Sequence, residues 1–198
     1  MFHAMTCLLS VVAVLASAAQ SQPLGGPWEH DLLLYRSADG EAWTRAGTFV
    51  EAGGVPSLIR LASGRLLTAF QWFPQEDAEH FDRVAVKWSD DGGETWAEPQ
   101  PVRVEGLPVG FQRPFDPTLT QLADGRIRLY FSCGPRRRGG LDEGVATYSA
   151  LSADGLDYAF EPGARFWTIG RPVIDCAVAR TGDRWHYCAP IGRPEEGA

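Results

Sequence analysis

One segment of this sequence returns at an interval of about 60 residues, and that limits the chain to architectures built by repeating a single supersecondary unit. Leu61-Ala62-Ser63-Gly64-Arg65 comes back as Leu122-Ala123-Asp124-Gly125-Arg126. The flanks return with it: Val55-Pro56-Ser57-Leu58 precedes the first copy as Asp116-Pro117-Thr118-Leu119 precedes the second. Leu67-Thr68-Ala69-Phe70 follows the first as Arg128-Leu129-Tyr130-Phe131 follows the second, so each copy reads as strand, tight turn, strand. A third copy runs from Asp175 through Thr181-Gly182-Asp183 to Cys188, and in this alignment Asp175 falls opposite Pro117 rather than Asp116.

A second element lies between the hairpins. Ser37-Ala38-Asp39-Gly40-Glu41-Ala42-Trp43, Ser89-Asp90-Asp91-Gly92-Gly93-Glu94-Thr95-Trp96 and Ser152-Ala153-Asp154-Gly155-Leu156-Asp157-Tyr158 each follow an apolar strand and lead into another extended stretch. In such a turn Asp accepts backbone N–H bonds, Gly supplies positive φ and the aromatic ring packs beneath, which is scaffold chemistry. Four strands in about 60 residues, repeated in tandem, predict an all-β fold of antiparallel propeller blades. About three blades are present of an expected five or six, so the chain reads as an N-terminal piece whose ring is incomplete.

Ser89-x-Asp91-x-Gly93-x-x-Trp96 resembles the Asp-box motif of sialidase-like propellers, with shorter versions at Ser37 and Ser152. The hairpins, above all Asp116-Pro117-Thr118-Leu119, also resemble inner strands of five-bladed arabinanase and fructosidase-like glycosidases. The resemblance implies a secreted glycoside hydrolase of sialidase-like, exo-acting type, inactive as a fragment if its partners lie elsewhere. It also leaves open a non-catalytic propeller that binds carbohydrate or protein, because Asp boxes mark scaffold. Sialidases use a Tyr–Glu nucleophile pair, an Asp acid/base and three Arg residues around the substrate carboxylate, and no motif carries that triad onto this chain.

The 18 Lys and Arg residues against 25 Asp and Glu give a formal charge of -7, which repels phosphate backbones and disfavours nucleic acid as a partner. Leu8 to Ala16 followed by Ala16-Ser17-Ala18 reads as a signal peptide over residues 1–19, with the propeller domain at 20–198 and a secreted or periplasmic location. That stretch is too short to span a bilayer and no later one approaches the roughly 20 residues needed, so no membrane span is expected. No metal-ligand spacing appears, and no cofactor is expected. With Cys7 removed, Cys133, Cys176 and Cys188 remain. A three-residue loop at Thr181-Gly182-Asp183 would set Cys176 opposite Cys188 at disulfide distance.

In up-and-down blades the loops before the inner strands and between second and third strands share one end, opposite the Asp-box turns. That end collects Gln75-Glu76-Asp77, Glu79-His80, Asp82, Arg113, Asp116, Asp142-Glu143, Arg171 and Asp175, beside Trp72, Phe73, Phe111 and Phe115. Paired acids suit glycosidic cleavage, guanidinium groups a sugar carboxylate, and rings a sugar face. Asp116, Asp175 and Glu143 are the candidate catalytic residues, with Arg113, Arg171 and Trp72 to bind substrate. Asp116 stands first, since it opens an inner strand where a carboxylate is either functional or costly.

Overall fold

The computed structural model describes residues 26–135 and 144–190, and among them the regular structure is all β apart from one 3-10 turn at Pro27–Glu29. Strands β1 (Leu32–Arg36) and β2 (Thr44–Val50) form an antiparallel pair. Strands β3 (Gly53–Arg60), β4 (Leu66–Trp72), β5 (Arg83–Ser89) and β6 (Gln100–Pro101) follow as a four-stranded antiparallel sheet in sequence order. After β7 (Arg103–Glu105) come β8 (Phe115–Gln121), β9 (Ile127–Cys133), β10 (Ala146–Ser152) and β11 (Asp157–Phe166), again side by side. Strand β7 runs parallel to β11 and extends this second sheet by one strand. The last pair, β12 (Ala177–Thr181) and β13 (Arg184–Cys188), is antiparallel.

The central strands of the first sheet, β4 and β5, are buried on both faces, and β4 is correspondingly apolar apart from Thr68 and Gln71. Leu67 and Ala69 on one face pack with Leu119, Ile127, Leu129, Phe131 and Tyr158 of the next sheet. Phe70 and Ala85 on the other pack with Phe49 and Val50 of β2. Face-to-face packing of consecutive four-stranded sheets hides the apolar rows that a single twisted sheet would leave in water. No helix among the described residues is long and apolar enough to cross a membrane.

The repeated hairpins are three-residue loops. Leu61 N–H donates to the Arg65 carbonyl at 2.8 Å and Leu122 N–H to that of Arg126 at 2.8 Å, with Gly64 and Gly125 at φ +93° and +87°. That left-handed third loop residue is what glycine provides. The third hairpin differs from the expected loop. Thr181 pairs with Arg184, leaving Gly182-Asp183 as a two-residue turn with Gly182 at φ +61°. Glycine at the first turn position favours that tighter connection. The pairing therefore slips by one: Cys188 faces Ala177, and Cys176 sits ahead of the strand. Cys176 is buried, Cys188 is exposed and both are free thiols, so the expected disulfide is corrected.

The three Asp-box turns share one hydrogen-bond scheme. Ser37, Ser89 and Ser152 hydroxyls donate to Asp39, Asp91 and Asp154 at 2.8, 2.7 and 2.8 Å and accept the N–H of Gly40, Gly93 and Gly155 at 2.8 Å each. The carboxylates then accept further backbone N–H groups, Asp154 those of Leu156 and Asp157 at 2.8 and 3.0 Å. Tyr158 is fully buried beneath its turn and Trp96 donates to Gly93 O at 3.1 Å. Trp43 departs from the expectation, 61 % exposed on the outlying β1–β2 pair.

Candidate functional site

Near the start of each of β3 and β8, and just ahead of β12, one residue occupies the left-handed region: Val55 at φ +50°, Asp116 at +52° and Asp175 at +49°. Register shifts between Gly54 and Ser57 and between Phe115 and Thr118 mark the same two-residue bulge. Asp175 thus corresponds to Asp116 and Cys176 to Pro117, which corrects the one-residue offset of the sequence alignment. The shortened third hairpin had shifted it.

Strand β8 lies beside both β3 and β12, and side chains stitch the three together. Ser57 Oγ accepts the Leu119 N–H at 3.0 Å, and the Thr118 hydroxyl donates to the Cys176 carbonyl. Asp175 N–H reaches Asp116 Oδ2 at 3.4 Å. Between the strand starts lies a cavity of about 330 Å³ whose wall includes Val55, Leu58, Asp116, Thr118, Asp175 and Ala177. Residues 120 positions apart in sequence meet here because each inner strand enters the same end of the stack.

Burial pushes the Asp116 carboxyl up to about 6, and the charge of Asp175 beside it acts in the same direction. The buried Ser132 hydroxyl favours the ionised form but falls short of a formal hydrogen bond. Asp116 is therefore a carboxyl that holds its proton in mildly acidic solution, the requirement for a proton donor. Burial lifts the Cys176 thiol to about 11, so it carries no thiolate chemistry.

The other expected site residues part company. Arg113 donates from two of its three guanidinium nitrogens to Asp82 Oδ2, Nε at 3.1 Å and Nη2 beside it, and Gln71 Nε2 donates to Asp82 Oδ1 at 2.7 Å. A guanidinium so engaged is a structural ion pair between loops rather than a free receptor for a sugar carboxylate. Trp72 stacks on His80, ring centroids 6.3 Å apart, and His80 Nδ1 meets Asp77 Oδ2 at 2.6 Å. Trp72 also abuts the core around Phe49 and Phe70, so one ring face is committed. Arg171 forms a backbone bridge with Thr168 ahead of β12 and does not line the cavity. Glu143 lies outside the described residues.

Sequence reasoning missed the role of Val55 and the Gln71–Asp82–Arg113 chain. The first was visible in the repeat, where Val55 aligns with Asp116; the second had no local signal, Asp82 being one acid among several in its loop. Among the described residues, no group of three His, Cys, Asp or Glu side chains could hold a metal ion.

No protein-family model matches the sequence, and no curated protein matches it. Solved structures do. A protein of unknown function from Dyadobacter fermentans superposes with a TM-score of 0.61 at 16% identity, over 82% of this chain and 51% of that one. A xylan β-1,4-xylosidase from Bacillus halodurans gives 0.60 at 18%, over 83% and 32%. An α-L-arabinanase from Penicillium chrysogenum, complexed with arabinobiose, gives 0.55 at 19%, over 81% and 49%. The shared fold is a β-propeller. The chain spans about half, or less, of the length of these structures. The four-stranded sheets correspond to its blades, with β3 and β8 at one edge of theirs.

Proposed function

We propose that this chain belongs to a glycoside hydrolase whose reaction takes place at the axial mouth between β3, β8 and β12. The observation that carries the reading is the meeting of two equivalent aspartates in one cavity, one of them with a raised pKa. Solved structures named for arabinan and xylan cleavage share the fold, which supports a glycan substrate for this one.

In the proposed reaction Asp116 gives its proton to the glycosidic oxygen as the bond to the anomeric carbon breaks. Asp175 acts through its charge, keeping that proton on Asp116 at the start of the cycle. Water adds to the anomeric carbon and loses its proton to a second carboxylate, the role proposed for Glu143. Propeller blades with Asp-box turns support the finer, sialidase-like assignment; the engagement of Arg113 by Asp82 counts against it. Export through the leader at residues 1–19, to a periplasmic or extracellular glycan, belongs to the same proposal.

The test is turnover of a panel of fluorogenic glycosides, neutral and sialylated, by the full-length protein. Asp116→Asn is expected to lower kcat by about 10²–10⁴-fold. Glycan binding without any turnover in wild-type protein would favour the non-catalytic propeller instead.

A further inference from the structure

The axial cavity is asymmetric. Two of its three equivalent entry positions carry carboxylates, Asp116 and Asp175, while the third carries Val55. Val55 is 37 % exposed and Leu58, on the same inner strand and the same wall, is 57 % exposed. Among the described residues no Lys, Arg or His side chain lines the cavity.

The valine is not there for the backbone. Aspartate tolerates the left-handed region because its short polar side chain bonds locally, whereas a β-branched residue at φ +50° is an outlier. Strain kept at one position of three points to a side chain retained for what it contacts. Its neighbour in the wall, Leu58, extends the same apolar surface toward solvent. A volume of about 330 Å³ is near the lower end of small-ligand sites and suits a single sugar ring.

We infer that this cavity takes an uncharged sugar ring, its C–H face on Val55 and Leu58 and its hydroxyl edge on Asp116 and Asp175, and that Val55 sets this preference. The inference rests on the glycosidase reading and sharpens it. A sialic or uronic acid would bring its carboxylate against the charge of Asp175 and the buried carboxyl of Asp116, with Arg113 engaged by Asp82 and no cation among the described residues of the wall to receive it. A neutral sugar meets both halves of the wall: hydroxyl groups donate to the Asp175 carboxylate and pair with the Asp116 carboxyl, and the ring's carbon face covers the exposed valine and leucine.

The experiment compares kcat/KM of the full-length protein on matched aryl glycosides of arabinose, xylose, galactose, glucuronic acid and N-acetylneuraminic acid, with direct titration of the free sugars alongside. Wild-type protein is expected to prefer at least one neutral glycoside by roughly 100-fold or more over both acidic ones. Val55→Thr, which keeps the branched shape and adds a hydroxyl, should raise KM for the neutral glycoside by about 10-fold with kcat little changed. Val55→Lys should narrow the preference against the acidic sugars, with melting temperature recorded for both variants. Cleavage of an acidic glycoside as fast as the neutral ones, or a preference untouched in both folded variants, would overturn the inference while leaving the hydrolase reading standing. Failure to turn over or bind any sugar of the panel would overturn both.

Discussion

At the scale of single residues, Asp116 is both the functional candidate and a burden on the fold. Its carboxyl is raised by burial and by Asp175, so the folded state binds that proton more tightly than the unfolded chain. The sign follows: stability from this group is greatest below about pH 4 and declines as pH rises toward about 6. Asp116→Asn is therefore expected to melt higher than wild type at pH 7, by an effect on the order of 1–2 kcal/mol, and to show no such gain at pH 4. Equal or lower melting at pH 7 would mean the carboxylate is well accommodated when charged. Sequence alone exposed Asp116 and Asp175 because charges seldom open inner strands. It misplaced Asp175 because a hairpin one residue shorter than its repeats shifts every alignment beyond it. It also left Arg113 free, since the acid that engages it comes from a loop between other strands.

At the scale of elements, the Asp-box turns are the most legible parts of the chain. Their hydrogen bonds are local, so spacing within seven or eight residues contains nearly all the information needed. The aromatic position is less so: Tyr158 is buried and Trp43 exposed because neighbouring strands, not the turn, decide what covers the ring. The third turn also carries packing between blades. A Cβ on Gly155 would lie 2.9 Å from Leu67 Cδ2 and 3.3 Å from Ile127 Cδ1, at φ +85°. Gly155→Ala should lower stability by about 1–3 kcal/mol in chemical denaturation, through crowding and backbone strain together. A neutral result would show that the blade interface yields there. Asp39 is drawn down to about 2 by the Ala42 N–H first and then that of Glu41. Its contribution is present above about pH 4 and disappears as pH falls toward 2, so Asp39→Ala should flatten the acid arm of the stability curve.

At the scale of the whole molecule, the stacking of the sheets creates the cavity. Each blade places its first strand beside the next, and only that arrangement brings Val55, Asp116 and Asp175 to one cavity from three separate repeats. The repeat made the blades legible, since alternation and turn chemistry are written locally. The partition of β6 and β7, the second joined to the following blade beside β11, was not, because a short strand's partner is chosen by sheet packing rather than by its own residues. The mouth's charge balance was likewise hidden: the guanidinium that would greet an acidic sugar is engaged by Asp82, a fact of tertiary contact. The most direct test of the account is the pH dependence of kcat for glycoside hydrolysis by the full-length protein. The account predicts activity that falls as pH rises through about 6 as Asp116 loses its proton, and near-complete loss in Asp116→Asn. A rate independent of pH between 4 and 8, or wild-type turnover by Asp116→Asn, would contradict it.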